Sequence, residues 1–294
     1  MTRSSRRSRP RTTVGSLDRS SRFLVIGDTH GNFRFLEEAC KVAVAEGVSW
    51  MLQVGDWGFV FPTGDRSSAQ KIEMVNTLLD KYDLDLDWFD GNHEGYGQLE
   101  LLGVHPDVEE PVQMSERIRY LPRAHRWRTG DIRFMVVGGA YSIDRKWRTL
   151  NSGYWEQETI TDEQVKRSIA GGKVDVMFTH DAPYGVTALE TMLAKNSHYW
   201  ANMMSKREWW RAEQASKENR RQVARIVKAT MPKMLIHGHY HHLYADTFSY
   251  PIENPYPMYD VLLMGATWVL GLDCDASGSK ALWVFDPDSF DDVL

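Results

Sequence analysis

Cysteine is nearly absent from this 294-residue chain: Cys40 and Cys274 are the only two, and they form no CxxC pair. That excludes a disulfide-stapled scaffold and a thiolate metal or redox site, and it fits a reducing, cytoplasmic setting. No apolar run approaches the ~18 residues that a membrane span requires. Stretches such as residues 261–264 are only strand-sized. A strong charge of one sign is missing as well, since 35 Lys and Arg face 40 Asp and Glu. The near-balance hides a local bias. Residues 1–22 hold seven Arg against one Asp, a net +6, which leaves 28 bases against 39 acids, a net −11. An acidic body argues against a protein built to coat duplex DNA. The Ser/Arg/Pro-rich start has too little apolar surface to fold and no signal-peptide core. It reads as a disordered basic tail, with a nucleic-acid tether as its functional alternative. With 42% hydrophobic and 26% charged residues, and no repeat or later linker, residues 23–294 read as a single globular domain.

What is present is a rhythm. Residues 23–26 are apolar and run into Gly27-Asp28-Thr29-His30-Gly31-Asn32. Residues 33–46 follow at helical spacing, with Phe33, Leu36, Ala39, Cys40 and Val44 expected on the inner face. A second strand at 50–54 meets Gly55-Asp56-Trp57-Gly58, a helix is predicted over 67–81, and a third strand at 86–89 meets Gly91-Asn92-His93-Glu94. Strand, polar loop and helix in this order predict an α/β sheet whose ligand site lies past the strand ends. Further strands are predicted at 117–121, 132–137, 174–178, 234–236, 243–250, 261–264 and 281–285, with a long helix over 206–230. The later strands look hairpin-like, which suggests two sheets packed together with helices outside.

Five of the loops after strands share a chemistry. Each alone is an ordinary turn, because Asp and Asn favour turns for local hydrogen-bonding reasons. Together they bring Asp28, His30, Asp56, Asn92, His93, His180, His239 and His241 toward one sheet edge. Of ten histidines, four fall within residues 237–242. No structural need explains so many imidazoles and carboxylates there, and a site for more than one metal ion does. Such nitrogen and oxygen donors without thiolate suit Mn, Fe, Zn or Ni.

In order, Gly-Asp28-x-His30-Gly, Gly-Asp56, Gly-Asn92-His93-Glu94, His180 and Gly-His239-x-His241 resemble the motifs of the calcineurin-like metallophosphoesterase superfamily. The likeness spans about residues 23–245 and is nearest to small bacterial and phage-borne members, whose second block also reads Gly-Asp-aromatic-Gly. It implies an α/β fold, a four-layer αββα sandwich of two mixed β-sheets flanked by helices. It implies two divalent metal ions, commonly Mn, Fe or Zn. Asp28, His30 and His241 would hold the first, Asn92, His180 and His239 the second, and Asp56 would bridge them. Two such ions can activate a shared water for attack on a phosphomonoester or phosphodiester. His93 would then assist the leaving oxygen as a catalytic residue beside Asp56 and Asn92.

The substrate implied is a phosphorylated small molecule, a nucleotide or a phosphoprotein. The alternatives are a nuclease acting on single-stranded nucleic acid through the Arg tail, and a non-catalytic scaffold of the same fold. Arg145 and Arg148 follow a Gly138-Gly139 loop and are candidates for gripping phosphate, with an ion pair to Asp144 as the competing reading. Tyr199, Trp200, Trp209 and Trp210 read as core more readily than as a stacking platform. His237 and His242 read as supporting the ligands. One departure matters. Where many relatives carry an Asp that orients the catalytic histidine, this chain has Phe59. A substitute acid would have to come from Asp65, Asp90 or Glu94, and otherwise His93 stays near its ordinary pKa of about 6.5.

Overall fold

A computed structural model describes residues 22–61, 64–252 and 263–292. The basic tail read at 1–22 therefore lies, except for Arg22, outside the described residues. Strands β1 (Phe23–Ile26), β2 (Trp50–Gln53), β3 (Asp85–Trp88), β4 (Val112–Gln113) and β5 (Ile118–Tyr120) belong to one six-stranded sheet. Strands β6 (Arg126–Thr129), β7 (Ile132–Val137), β8 (Val176–Thr179), β9 (Met234–His237), β10 (Tyr244–Ile252) and β11 (Leu263–Gly271) form the other. The last strand, β12 (Leu282–Phe285), returns to the first sheet, whose order is β12-β1-β2-β3-β5-β4, while the second runs β10-β11-β9-β8-β7-β6. Both sheets are mixed: the four inner strands of each run parallel and both edge strands run antiparallel.

Among the described residues six α-helices cover the outer faces: α1 (Phe33–Ala45), α2 (Ser68–Tyr82), α3 (Tyr96–Leu101), α4 (Asp162–Ala170), α5 (Thr187–Met203) and α6 (Lys206–Thr230). Their starts are written in the sequence. Ser67 with Gln70, Thr161 with Gln164 and Ser205 with Glu208 form capping boxes that satisfy the first free amides of α2, α4 and α6. Three apolar clusters separate the four layers. One lies under α1 and α2, one between the sheets, and one under α4, α5 and α6. Between the sheets, the Phe23 ring lies 4.2 Å from Trp50 and 5.0 Å from Phe285, contacts that add to plain area burial. Among the described residues no helix is long and apolar enough to cross a membrane.

Two expectations change. On α1 the buried stripe is Phe35, Leu36, Ala39, Cys40 and Ala43, and Val44 is exposed. The helix is rotated so that bulky Phe35 takes the inner face. The later strands are only partly hairpin-like: β10 and β11 pair antiparallel, but β7, β8, β9 and β11 are parallel neighbours, with β7 joined to β8 through α4 and β8 to β9 through the α5–α6 pair. Helix α5 buries a single residue, Leu189, and so carries no continuous buried stripe of the kind that marks a helix in sequence. Parallel strands put their carboxyl ends on one edge, and both sheets offer that edge to the same place.

Candidate metal centre

Asp28 follows β1, Asp56 follows β2, Asn92 and His93 follow β3, His180 follows β8, and His239 and His241 follow β9. Side-chain atoms of Asp28, His30 and His241 lie within 4.8 Å of one another, and so do those of Asp56, His180 and His239. The Asp56 carboxylate faces both groups. Its Oδ2 is 3.6 Å from His30 Nε2, and its Oδ1 is 3.3 Å from His180 Nε2. Asn92 joins the second group through Oδ1, 3.1 Å from His180 Nε2. Asp28 Oδ2 lies 3.1 Å from His241 Nε2.

Local backbone bends aim these donors. His30 (φ 45°), Asp56 (φ 53°), His239 (φ 69°) and His241 (φ 48°) are left-handed, and they make up half of the eight non-glycine residues in that region among those described. Such conformations are costly and persist where surrounding contacts over-determine them. The motif glycines have a separate reason. A Cβ at Gly55 would collide with the His180 ring, one at Gly91 with the Asp56 carboxylate, and one at Gly238 with the Asp28 carboxylate. Each glycine therefore leaves room for a donor from a different loop.

The electrostatics ask for positive charge. Asp28 and Asp56 are buried, and burial alone would lower the neighbouring imidazole pKa values. Against that burial, hydrogen bonding and charge from Asp56 and charge from Asp28 lift His30 to about 10, and the same two carboxylates lift His180 to about 10. Protons thus stand where divalent cations would. Burial and the charge of His180 instead push His239 well below its ordinary value. Among the described residues its imidazole has no hydrogen-bond partner. A neutral, unpartnered imidazole facing a buried carboxylate is a ready metal ligand. The donor set fits two ions of the Mn, Fe, Zn or Ni kind.

Supporting contacts include one residue that the sequence did not flag. Asp275 Oδ1 lies 3.1 Å from His30 Nδ1, and its Oδ2 accepts 2.7 Å from Asn32 Nδ2. This is the carboxylate–histidine pairing that orients metal-bound imidazoles. Asp275 follows parallel strand β11, which runs on to Gly271 rather than ending at residue 264. For His180 the partner is the Val54 carbonyl, 2.9 Å from Nδ1. An Asp275→Asn variant is expected to weaken one of the two ions about 10- to 100-fold. Chelator-competition titration measures this, and two ions bound as in the wild type would remove Asp275 from that role.

His93 lines the cleft beside the donor groups, its ring 5.8 Å from that of His30. Its amide donates 2.6 Å to Asp56 Oδ1, and its ring nitrogens lie 3.2 and 3.0 Å from the Arg148 guanidinium. Arg148 is paired in turn with Asp144. Burial lowers the His93 pKa, Asp56 opposes this and Arg148 reinforces it, and the net is below the ordinary value rather than at it. None of the three acids considered in its support is there. Asp90 pairs with buried Arg123, Glu94 accepts the Trp57 and Gly58 amides, and Asp65 is exposed. Phe59 is buried against Trp57. Arg145 is also elsewhere: its guanidinium is 3.0 Å from buried Glu158 and 4.3 Å from the Tyr141 ring. His237 is buried and hydrogen-bonded to the Tyr244 hydroxyl at 2.7 Å, while His242 is exposed.

A sequence profile of the calcineurin-like phosphoesterases matches residues 21–243. The crystal structure of TT1561 from Thermus thermophilus aligns over 90% of this chain and 98% of its own, at 13% identity and a TM-score of 0.50. A dimetal phosphatase from Danio rerio aligns over 86% and 87% respectively, at 12% identity and a TM-score of 0.45. A comparison with curated proteins finds no match.

Proposed function

The chain belongs to the calcineurin-like phosphoesterase family, and from that premise we propose that it hydrolyses phosphomonoesters or phosphodiesters at a two-ion centre. The observation that carries this reading is the split of the Asp56 carboxylate, one oxygen toward each donor group. Asp28, His30 and His241 would hold one ion, Asn92, His180 and His239 the other, and Asp56 would touch both. When bound, the ions supply Lewis-acid charge for the phosphoryl oxygens and lower the pKa of attacking water.

The chain's own groups do the rest. Glu94 ties the Trp57–Gly58 amides to the loop that carries Asn92, so the two loops keep a fixed spacing. The His93 amide holds Asp56 in the orientation that serves both groups. Arg148 lines the cleft with His93, its guanidinium held between the His93 ring and Asp144. His93, whose ring lies against Arg148, would offer a ring N–H to the leaving oxygen once the substrate draws that guanidinium away.

The test is metal removal and return. Protein stripped with chelator is expected to lose activity on p-nitrophenyl phosphate and bis(p-nitrophenyl) phosphate. Adding back Mn, Fe, Zn or Ni should restore it at close to two ions per chain by elemental analysis. Full activity in the stripped protein, or no transition metal bound at saturation, overturns the reading.

A further inference from the structure

The donor groups open into a cavity of about 760 Å³. That volume suits a drug-sized ligand and exceeds what a bare phosphoryl group fills. Asp56, Asn92, His93 and His241 line one end, and Met192, Leu193 and Trp200 of α5 with Trp209 of α6 line the far wall. Helix α5 explains why that wall is apolar. It has 17 residues, of which Leu189 alone is buried; Met192 and Leu193 pack partly on the core and, with Trp200, leave apolar surface facing the cavity. The expectation that the Trp cluster is core is thereby corrected: Trp200 and Trp209 are half-buried at the cavity, and Tyr199 and Trp210 are exposed.

The aromatic surface continues to the cleft mouth. Trp147, next to Arg148, lies 6.2 Å from the Trp200 ring, and Tyr199 lies 5.2 Å from it at a right-angled tilt. Lys146 bridges 3.0 Å to Glu208 at the start of α6. The loop that carries Arg148 therefore meets both helices over the cleft. Charge narrows what the wall can hold. Each of the three Arg and Lys side chains lining the cavity already has a carboxylate: Arg148 with Asp144, Lys217 with Glu213, and Arg220 with Glu190. Beyond the metal centre the cleft is charge-balanced. It offers no track of free cations of the kind that single-stranded nucleic acid follows.

We propose that the α5–α6 wall is the leaving-group subsite and takes a flat, uncharged aromatic group, so that the substrate is a phosphoester of a nucleoside rather than of a polynucleotide or a simple alcohol. The inference rests on the phosphoesterase reading above. It adds what the leaving group is. Trp200 and Trp209 supply the stacking faces, and the balanced ion pairs leave the single phosphoryl group to the metal end.

The experiment uses the full, metal-loaded chain with adenosine monophosphate and glycerol phosphate, each offered as the monoester and as its methyl diester. Both have alkyl leaving groups, so intrinsic reactivity is matched. The wild type is expected to prefer the nucleotide tenfold or more in kcat/KM. Trp200→Ala and Trp209→Ala should each lower that preference ratio about 5- to 100-fold, the range that loss of one base-stacking face produces. Trp200→Phe should restore most of it. Calorimetric binding of adenosine, which has no phosphate, should weaken in the same two alanine variants. Hydrolysis of both esters with a ratio that the variants leave unchanged overturns the subsite alone. A short oligonucleotide cleaved faster than the mononucleotide overturns it as well. Hydrolysis of neither ester with any metal overturns the phosphoesterase reading itself.

Discussion

Replacing Asp56 with Asn is expected to remove both metal ions together and to lower kcat/KM by about 10³-fold or more. The size follows from the several kcal/mol of charge stabilisation that a metal supplies to a phosphoryl transition state. The coupling follows from geometry, since each oxygen of Asp56 faces a different donor group. Asn keeps an acceptor for the His93 amide but loses the charge that holds His30 and His180 in their protonated, cation-like state. Asp28→Asn is the contrast, because Asp28 belongs to the first group only. Two-site calorimetric titration separates them: Asp56→Asn should abolish both binding phases, and Asp28→Asn chiefly one. An Asp56→Asn protein with both phases intact and activity within tenfold of wild type would sink the bridging role.

The largest effect on stability is expected from Arg123→Met. Arg123 is fully buried and paired at 2.5 Å with equally buried Asp90, whose oxygens also accept the Tyr96 and Tyr120 hydroxyls. The guanidinium also donates to the carbonyls of Gln157 and Thr159 and to the Gln164 side chain. Buried pairs need not stabilise relative to apolar residues, but removing one partner strands the other charge, at about 3–5 kcal/mol. For a domain of this size that lowers Tm by roughly 6–20 °C, readable by calorimetry. The double variant Arg123→Met with Asp90→Asn should recover part of the loss, since no bare charge remains. A single variant that melts within 2 °C of wild type would contradict the account.

The metal centre was legible in sequence because its chemistry is local: the donors follow apolar strands, and glycine marks every donor loop but that of His180. The strands and capped helices of the first half were legible for the same reason, with residues 33–46 and 67–81 landing near α1 and α2. What escaped depends on distance. Asp275 reaches His30 across 245 residues, brought there by the pairing of β11 with β9 and by the bridge of Cys274 and Asp275 to the Asp28 backbone. Arg123 gave no signal beyond being an arginine in a loop. The Trp200 and Trp209 wall was misjudged because aromatic density reads as core, and only the packing of α5 and α6 shows these two rings half-buried at the cavity instead. Arg145 and Arg148 look alike in sequence, yet buried Glu158 claims the first and leaves the second at His93.

The three glycines beside the donors have a further consequence for how such a centre can change over time. Gly55, Gly91 and Gly238 each vacate the space that a ligand from another loop fills. No loop is therefore complete by itself, and a side chain gained in one would be felt as a misplaced ligand in its neighbour. Donors on an independent loop could be traded singly, as surface loops often are. Here steric exclusion ties the second motif to His180, the third to Asp56 and the last to Asp28, so a workable exchange must carry several at once. The centre would pass between backgrounds as a block, while the α5–α6 wall, which shares none of these contacts, is free to vary around it.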